Sequence, residues 1–216
     1  DPADPIGDVG LAHYIQAVNS PGSALITIYD KNTGAAVPGF SAIPMNSLVP
    51  GTPDGFGDPV VLFDDIADRW LLAEFSGFPG NTVQVYISQS DDPTAGSWFR
   101  YTITTPDFPD YLKFSVWPDG YYLTTNEGLP AAYALNRAKM LVGLPLSGTD
   151  VQRFTAPPLN GFGFQALTPG DLDGPAPPAG SPAFFMRHRD DEVHNGAPNP
   201  AQDFLEVWQL DSDFAT

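Results

Sequence analysis

The chain has 216 residues, of which 42% are hydrophobic, so it is long enough to bury a core in one large domain or two small ones. Its net charge of −17 argues against binding to nucleic acid or to anionic lipid. The absence of cysteine excludes disulfides, thiol catalysis and cysteine-based zinc sites, and no apolar run is long enough to cross a membrane.

Glycine and proline are abundant, at 21 and 24 residues, and they are spread along the chain. This distribution favours many short strands joined by turns over disorder. The acidic residues are nearly all aspartate, which belongs in turns, and lysine is scarce. Together these features favour a secreted, extracellular protein; calcium binding is a second explanation for the aspartates.

Four similar segments follow one another at a spacing of roughly fifty residues. The first, at residues 7–50, contains "GDVGLAHYIQAVN" and then a predicted hairpin around Asn32, Thr33 and Gly34. The second, at 57–104, contains "GDPVVLFDDIADRWLLAEF", "TVQVYISQS" and "SWFRYTI", which alternate as four strands.

The third segment, at residues 109–156, contains "DYLKFSVWPDGYYLTTNE", "AAYALN", a short helix in "RAKMLVG" and the strand "VQRFTA". The fourth, at 164–216, contains "FQALTPGDLDG", a proline-rich loop, "AFFMRHRD" and "FLEVWQLD". Four strands in about fifty residues, repeated, predict the four-stranded antiparallel blades of an all-β propeller, with a β-sandwich as the alternative.

The fourth segment supplies only three strands, so the sequence predicts about three and a half to four blades. A closed propeller needs at least four complete blades. We therefore expect a longer polypeptide or another chain that completes the last blade. The alternative is a compact four-bladed ring whose last strand is not evident in the sequence.

The stretch "SQSDDPTAGSW" falls between the third and fourth strands of the second segment. It resembles the Asp-box turn of sialidase-type propellers and the hairpins of five-bladed glycosidase propellers. In both families this turn is structural, so the resemblance implies a turn and no catalytic role. With "FPDYLKFSVWPDGYYLTTNE" and "ALNRAKMLVG", the chain as a whole resembles secreted bacterial β-propeller proteins, which implies fold and export only.

Four aspartates begin the inner strands of the four segments: Asp8, Asp58, Asp110 and Asp171. If these positions correspond, their carboxylates converge near one axis, where a Ca²⁺ ion would relieve their repulsion. The alternative is that each aspartate accepts hydrogen bonds from backbone amides of its own turn.

The densest polar cluster is "MRHRDDEVHN" at residues 186–195. Arg187 and Arg189 form a pair suited to binding an anionic ligand, and His188 beside carboxylates could transfer protons or hold a metal. A salt-bridged loop explains the same residues without any ligand. His188 is therefore a candidate for both ligand binding and catalysis.

Two classes of function remain open from the sequence. The first is an extracellular, non-enzymatic binding or structural module that recognises a glycan or a protein at a cell surface, without nucleic acid and without membrane insertion. The second is a secreted, glycosidase-like hydrolase whose carboxylates would be Asp58, Asp110 and Glu127 at the mouth of the channel. No nucleophile elbow, P-loop or dinucleotide fingerprint is present.

Overall fold

The computed structural model describes residues 2–77, 80–159, 165, 167–189 and 203–214. The chain forms two compact units. The first consists of Asp1–Pro109 with Arg137–Leu146, and the second consists of Asp110–Asn136 with Ser147–Thr216. No helix within the described part of the chain is long and apolar enough to cross a membrane.

The first unit contains two antiparallel sheets, each with its strands in chain order. The first sheet is built from β1 (Ile6–Val9), β2 (His13–Val18), β3 (Leu25–Asp30) and β4 (Ile43–Pro44). The second sheet is built from β5 (Gly57–Asp64), β6 (Arg69–Phe75), β7 (Thr82–Ser88) and β8 (Trp98–Thr104).

The core of the first unit lies between the apolar faces of these two sheets. Alternation along β2 and β3 sends Ile15, Ile26 and Ile28 to one face, where all three are fully buried. They pack in one cluster with Trp70 and Leu72 of the second sheet. Burial of such side chains contributes about 1.5–3 kcal/mol each.

The second unit also contains two antiparallel sheets. The third sheet is built from β9 (Asp110–Val116), β10 (Tyr121–Glu127), β11 (Leu129–Leu135) and β12 (Val151–Thr155). The fourth sheet has three strands among the described residues, β13 (Thr168–Pro169), β14 (Ala183–Arg189) and β15 (Phe204–Leu210).

The core of the second unit likewise lies between the apolar faces of its two sheets. Tyr122 and Ala134 of the third sheet pack in one cluster with Ala183 and Phe185 of the fourth. The rings of Tyr122 and Phe185 meet edge to face at 5.6 Å. Each unit is thus a pair of sheets joined by an apolar layer.

Helices are short and connect strands. In the described ranges the helix α1 (Arg137–Met140) follows β11, and two 3₁₀ turns span Met45–Leu48 and Gly148–Asp150. The prediction of an all-β chain with four antiparallel sheets is therefore confirmed, as is the short helix within "RAKMLVG". The stretch around "DDPTAG" forms the turn between β7 and β8, where Asp92 accepts a hydrogen bond from the Thr94 amide at 2.9 Å.

Candidate functional site

Two of the four predicted inner-strand aspartates join neighbouring sheets. A carboxylate oxygen of Asp8 in β1 accepts the backbone amide of Phe63 in β5 at 2.6 Å. In the second unit, a carboxylate oxygen of Asp171, just after β13, accepts the amide of Val116 in β9 at 2.7 Å. Each aspartate therefore links the first strands of two sheets through a charge-assisted hydrogen bond, which stabilises the contact between the sheets.

The other two aspartates lie at β-bulges, and their predicted correspondence is off by one residue. In β5, Gly57 pairs with Phe75 and the next pair begins at Val60; in β9, Asp110 occupies the position of Gly57. The residue after each has a positive φ, +48° at Asp58 and +55° at Tyr111. Asp58 is thus equivalent to Tyr111, since the same bulge lies between Gly57 and Val60 in β5 and between Asp110 and Lys113 in β9.

Both bulge aspartates take part in hydrogen bonds, Asp58 through its backbone amide and Asp110 through its carboxylate. The Asn19 side-chain oxygen accepts the Asp58 amide at 2.6 Å, and the Tyr111 amide donates to the Asp110 carboxylate at 2.9 Å. No group of three or more acidic or histidine side chains suited to a metal occurs within the residues that the structure describes. The geometry therefore assigns Asp8 and Asp171 to backbone hydrogen bonding.

Substituting Asp8 or Asp171 by alanine is expected to cost about 1–3 kcal/mol, because a partly buried backbone amide loses its acceptor. Asparagine keeps an acceptor oxygen, so Asp8→Asn and Asp171→Asn should cost less. Thermal melting of the four variants, with and without a chelator, checks both points. A chelator that lowers the melting temperature of the wild type, but not that of the asparagine variants, would instead assign these residues to a metal site.

Glu127 is held by three side chains of the third sheet. Oε1 accepts hydrogen bonds from the hydroxyls of Thr125 and Tyr133, and Oε2 accepts from Nη2 of Arg153 at 2.9 Å. The Glu127 side chain is fully buried, while that of Arg153 is about one-third exposed. Burial beside this carboxylate raises the pKa of Tyr133. Both oxygens of Glu127 are thus engaged in an ion-paired cluster.

The Arg–His–Arg cluster is divided between two faces of the fourth sheet. Arg187 is buried and donates to Glu206 on the paired position of β15, so its charge is neutralised within the sheet. Arg189 lies with its guanidinium 5.2 Å from the centre of the Phe204 ring. His188 points to the opposite, exposed face. The remainder of the predicted cluster, residues 190–195, lies outside the described residues.

The outer face of the fourth sheet, defined here by six side chains of β14 and β15, is apolar and exposed. Its cross-strand pairs are Phe184 with Gln209, Met186 with Val207 and His188 with Leu205. Leu205 is 68% exposed, Val207 60% and Met186 48%. Contiguous exposed apolar patches are enriched at protein–protein contacts.

A comparison with the equivalent strands shows how unusual this exposure is. The third strands of the second and third sheets, β7 and β11, are buried at every position except their first. The third strand of the fourth sheet, β15, is exposed or half-exposed at every position. Because its sequence "FLEVWQL" is as apolar as theirs, β15 has the composition of a covered strand.

A cleft of about 470 Å³ lies in the second unit. Its walls include Trp117 and Asp119 of the turn after β9, the proline-rich loop, and Asp211 after β15. The Trp117 indole donates to the Ser181 carbonyl at 2.9 Å, which fixes one wall against the loop. The cleft is large enough for a small polar ligand.

Glu74 is a buried carboxyl group in the first unit that the sequence analysis missed. Its oxygens accept the Ser23 hydroxyl at 2.8 and 3.0 Å, the Ala24 amide at 2.8 Å and the Tyr86 hydroxyl at 3.4 Å. Burial raises its pKa from 4.5 to about 7, although the bonds from Ala24, Ser23 and Tyr86 oppose that rise. The signal available in the sequence was a single charge inside the apolar strand "RWLLAEF".

A buried ion pair, also missed, anchors α1 in the first unit. Arg137 Nε lies 2.7 Å from Asp64 Oδ2, and Nη2 lies 2.8 Å from Oδ1. Asp64 is fully buried and Arg137 is 7% exposed. The partners are 73 residues apart, so local patterning gives no sign of their contact.

Of the predicted site residues, Asp8 and Asp171 join neighbouring sheets, and Glu127 and Arg187 are ion-paired within a sheet. The feature with the clearest capacity to contact another molecule is the outer face of the fourth sheet. Comparisons of the chain with family models, with curated proteins and with solved structures find no match.

Proposed function

We propose that the chain is an extracellular, non-enzymatic binding or structural module of the β-propeller type. In this proposal the last sheet docks on a further β-sheet, supplied by a longer polypeptide or by a partner. The observation that carries it is the apolar outer face of the fourth sheet, with Leu205 and Val207 more than half exposed. An acidic chain that leaves such a face uncovered has a surface suited to assembly.

Support for a propeller comes from the repeat of sheets along the chain. Three sheets have four strands in chain order, and the fourth has three among the residues that the structure describes. Within each unit, one sheet packs its apolar face on the next, and an aspartate–amide bond joins their inner strands. Successive sheets stacked face to face are the building plan of propeller blades.

Support for a non-enzymatic role comes from the candidate carboxylates. Both oxygens of Glu127 accept hydrogen bonds from neighbouring side chains, and Asp110 binds the next amide in its own bulge. A glycosidase needs two carboxyl groups that face one cleft. One donates a proton to the leaving group, and the other acts as nucleophile or general base. The contacts of Glu127 and Asp110 favour structural roles over the hydrolase alternative.

Partners of two kinds suit the described surface. The outer face of the fourth sheet is suited to a protein partner. The cleft beside Asp119 and Asp211 is suited to a hydroxyl-rich ligand such as a cell-surface glycan, because carboxylates accept hydrogen bonds from hydroxyl groups. Abundant aspartate, scarce lysine and the absence of cysteine are compatible with an extracellular setting.

Adsorption of the protein to secreted proteins and cell-envelope glycans of its source organism tests the proposal. Val207→Lys places a charge on the outer face, and Val142→Lys is the matched control, since Val142 is 63% exposed in the first unit. We expect Val207→Lys to weaken adsorption of a protein partner at least tenfold, because a docked lysine must lose its water. Val142→Lys should bind as the wild type does.

Two results would contradict this proposal. The first is equal adsorption by the wild type and the Val207→Lys variant. The second is turnover of a glycoside by the wild type that disappears on substitution of Glu127 by glutamine, because that outcome assigns the chain to the hydrolases.

A further inference from the structure

We infer that the outer face of the fourth sheet is an interface between two copies of this chain, with the fourth sheets packed face to face. This inference rests on the proposed function, since it names the occupant of the same docking surface. The contact would be centred on the cross-strand pair of Met186 and Val207. Phe184 and Leu205 would lie around that centre.

The sheets of this fold already pack on one another. The opposite face of the fourth sheet lies on the third sheet through Phe185 and Ala183, which are both 2% exposed. The first and second sheets make the same kind of contact through Ile26 and Trp70. The fourth sheet has a second apolar face, so it can pack on another sheet in the same way. A second copy of the chain presents an identical apolar face for this contact.

The charge of the outer face differs from that of the rest of the chain. The chain carries −17, so most contacts between two copies would bring carboxylates together. None of the six side chains of the outer face is acidic. The acidic residue of β15, Glu206, points to the other face and is paired with Arg187. Two copies can thus bring these six side chains together without opposing carboxylates among them, and none of the six would select a basic partner.

The outer face also has a geometry that suits a two-fold contact. A two-fold axis through the Met186–Val207 pair would place each pair on its counterpart in the other copy. Stacked sheets pack about 10 Å apart, a separation that Met, Val, Leu and Phe side chains can fill. The contact uses the same patch on both copies, so it closes at a dimer and does not extend into a fibre.

Sedimentation velocity of the full chain over a wide concentration range tests the inference. We expect a species of twice the chain mass for the wild type, and a dissociation constant at least tenfold higher for Val207→Lys and for Met186→Lys. Val142→Lys should dimerise as the wild type does. Circular dichroism establishes that each variant keeps its strands.

A thiol cross-link gives an independent readout, because the chain contains no cysteine. Val207→Cys should be captured as a dimer by a short bis-maleimide, whereas Val142→Cys should not. A wild type that stays monomeric at every concentration, or dimers that survive Val207→Lys, would overturn the inference. If the wild type is monomeric and Val207→Lys still abolishes partner adsorption, the dimer is wrong and the proposed docking function stands.

Discussion

Replacing Arg137 by methionine is expected to lower the free energy of unfolding of the first unit by about 3–5 kcal/mol. The substitution leaves the fully buried Asp64 carboxylate without the guanidinium that now binds both of its oxygens. Breaking a buried pair in this way costs more than the pair itself contributes, because a solitary charge remains in the interior. Urea denaturation followed by tryptophan fluorescence measures the change.

The double variant Asp64→Asn with Arg137→Met is the control for this prediction. Asparagine removes the charge but keeps an oxygen that can accept the amides of Ile66 and Ala67, which now lie 3.1 and 3.0 Å from Asp64 Oδ1. We therefore expect the double variant to be more stable than Arg137→Met alone. If the stability loss of the double variant equalled the sum of the losses of the two single variants, the two side chains would not be coupled.

The first unit is expected to lose about 2 kcal/mol of stability through Glu74 between pH 5.5 and pH 8.5. In the folded state Glu74 keeps its proton up to about pH 7, whereas the unfolded chain releases it near pH 4.5. The stabilisation is therefore complete below pH 4.5 and is lost as the pH rises through 7. Glu74→Gln does not titrate, so its stability should fall less over the same range.

The Ser23→Ala variant tests the direction of this effect. The Ser23 hydroxyl donates to the Glu74 carboxylate and lowers its pKa, so removing it should raise the pKa and move the loss of stability to higher pH. Urea midpoints measured at several pH values for the wild type and both variants provide the comparison. Parallel pH profiles for wild type and Glu74→Gln would show that Glu74 does not cause the dependence.

The strands could be predicted from the sequence because their signals are local. Between Gly57 and Thr104, the alternation of apolar residues and the turns at "DDIAD" and "DDPTAG" place all four strands of the second sheet close to their observed bounds. The same reasoning identified "FLEVWQLD" as a third strand, and β15 is the third strand of its sheet within the described part of the chain.

The predicted equivalence of the inner-strand aspartates failed because it depended on register. The bulges in β5 and β9 displace both strands equally, but the prediction matched the first aspartate of each segment, and the strand pairing that fixes the register is not visible in the sequence. Counting along the sequence therefore aligned Asp58 with Asp110, whereas the pairing aligns Asp58 with Tyr111.

The internal polar contacts were not predictable because their partners are distant in the chain. Glu74 meets Ser23 across 51 residues, and Arg137 meets Asp64 across 73. A charged residue within an apolar strand does indicate a buried group, but it does not identify the partner. Such contacts are set by the packing of one sheet on another, which one sequence without its fold does not reveal.

Structure determination of the protein purified from its natural source tests the central claim, that the outer face of the fourth sheet is a docking surface for another β-sheet. The account predicts that Met186 and Val207 are buried beneath a second β-sheet in that assembly. Finding both side chains exposed to solvent, or covered by a helix, would contradict it.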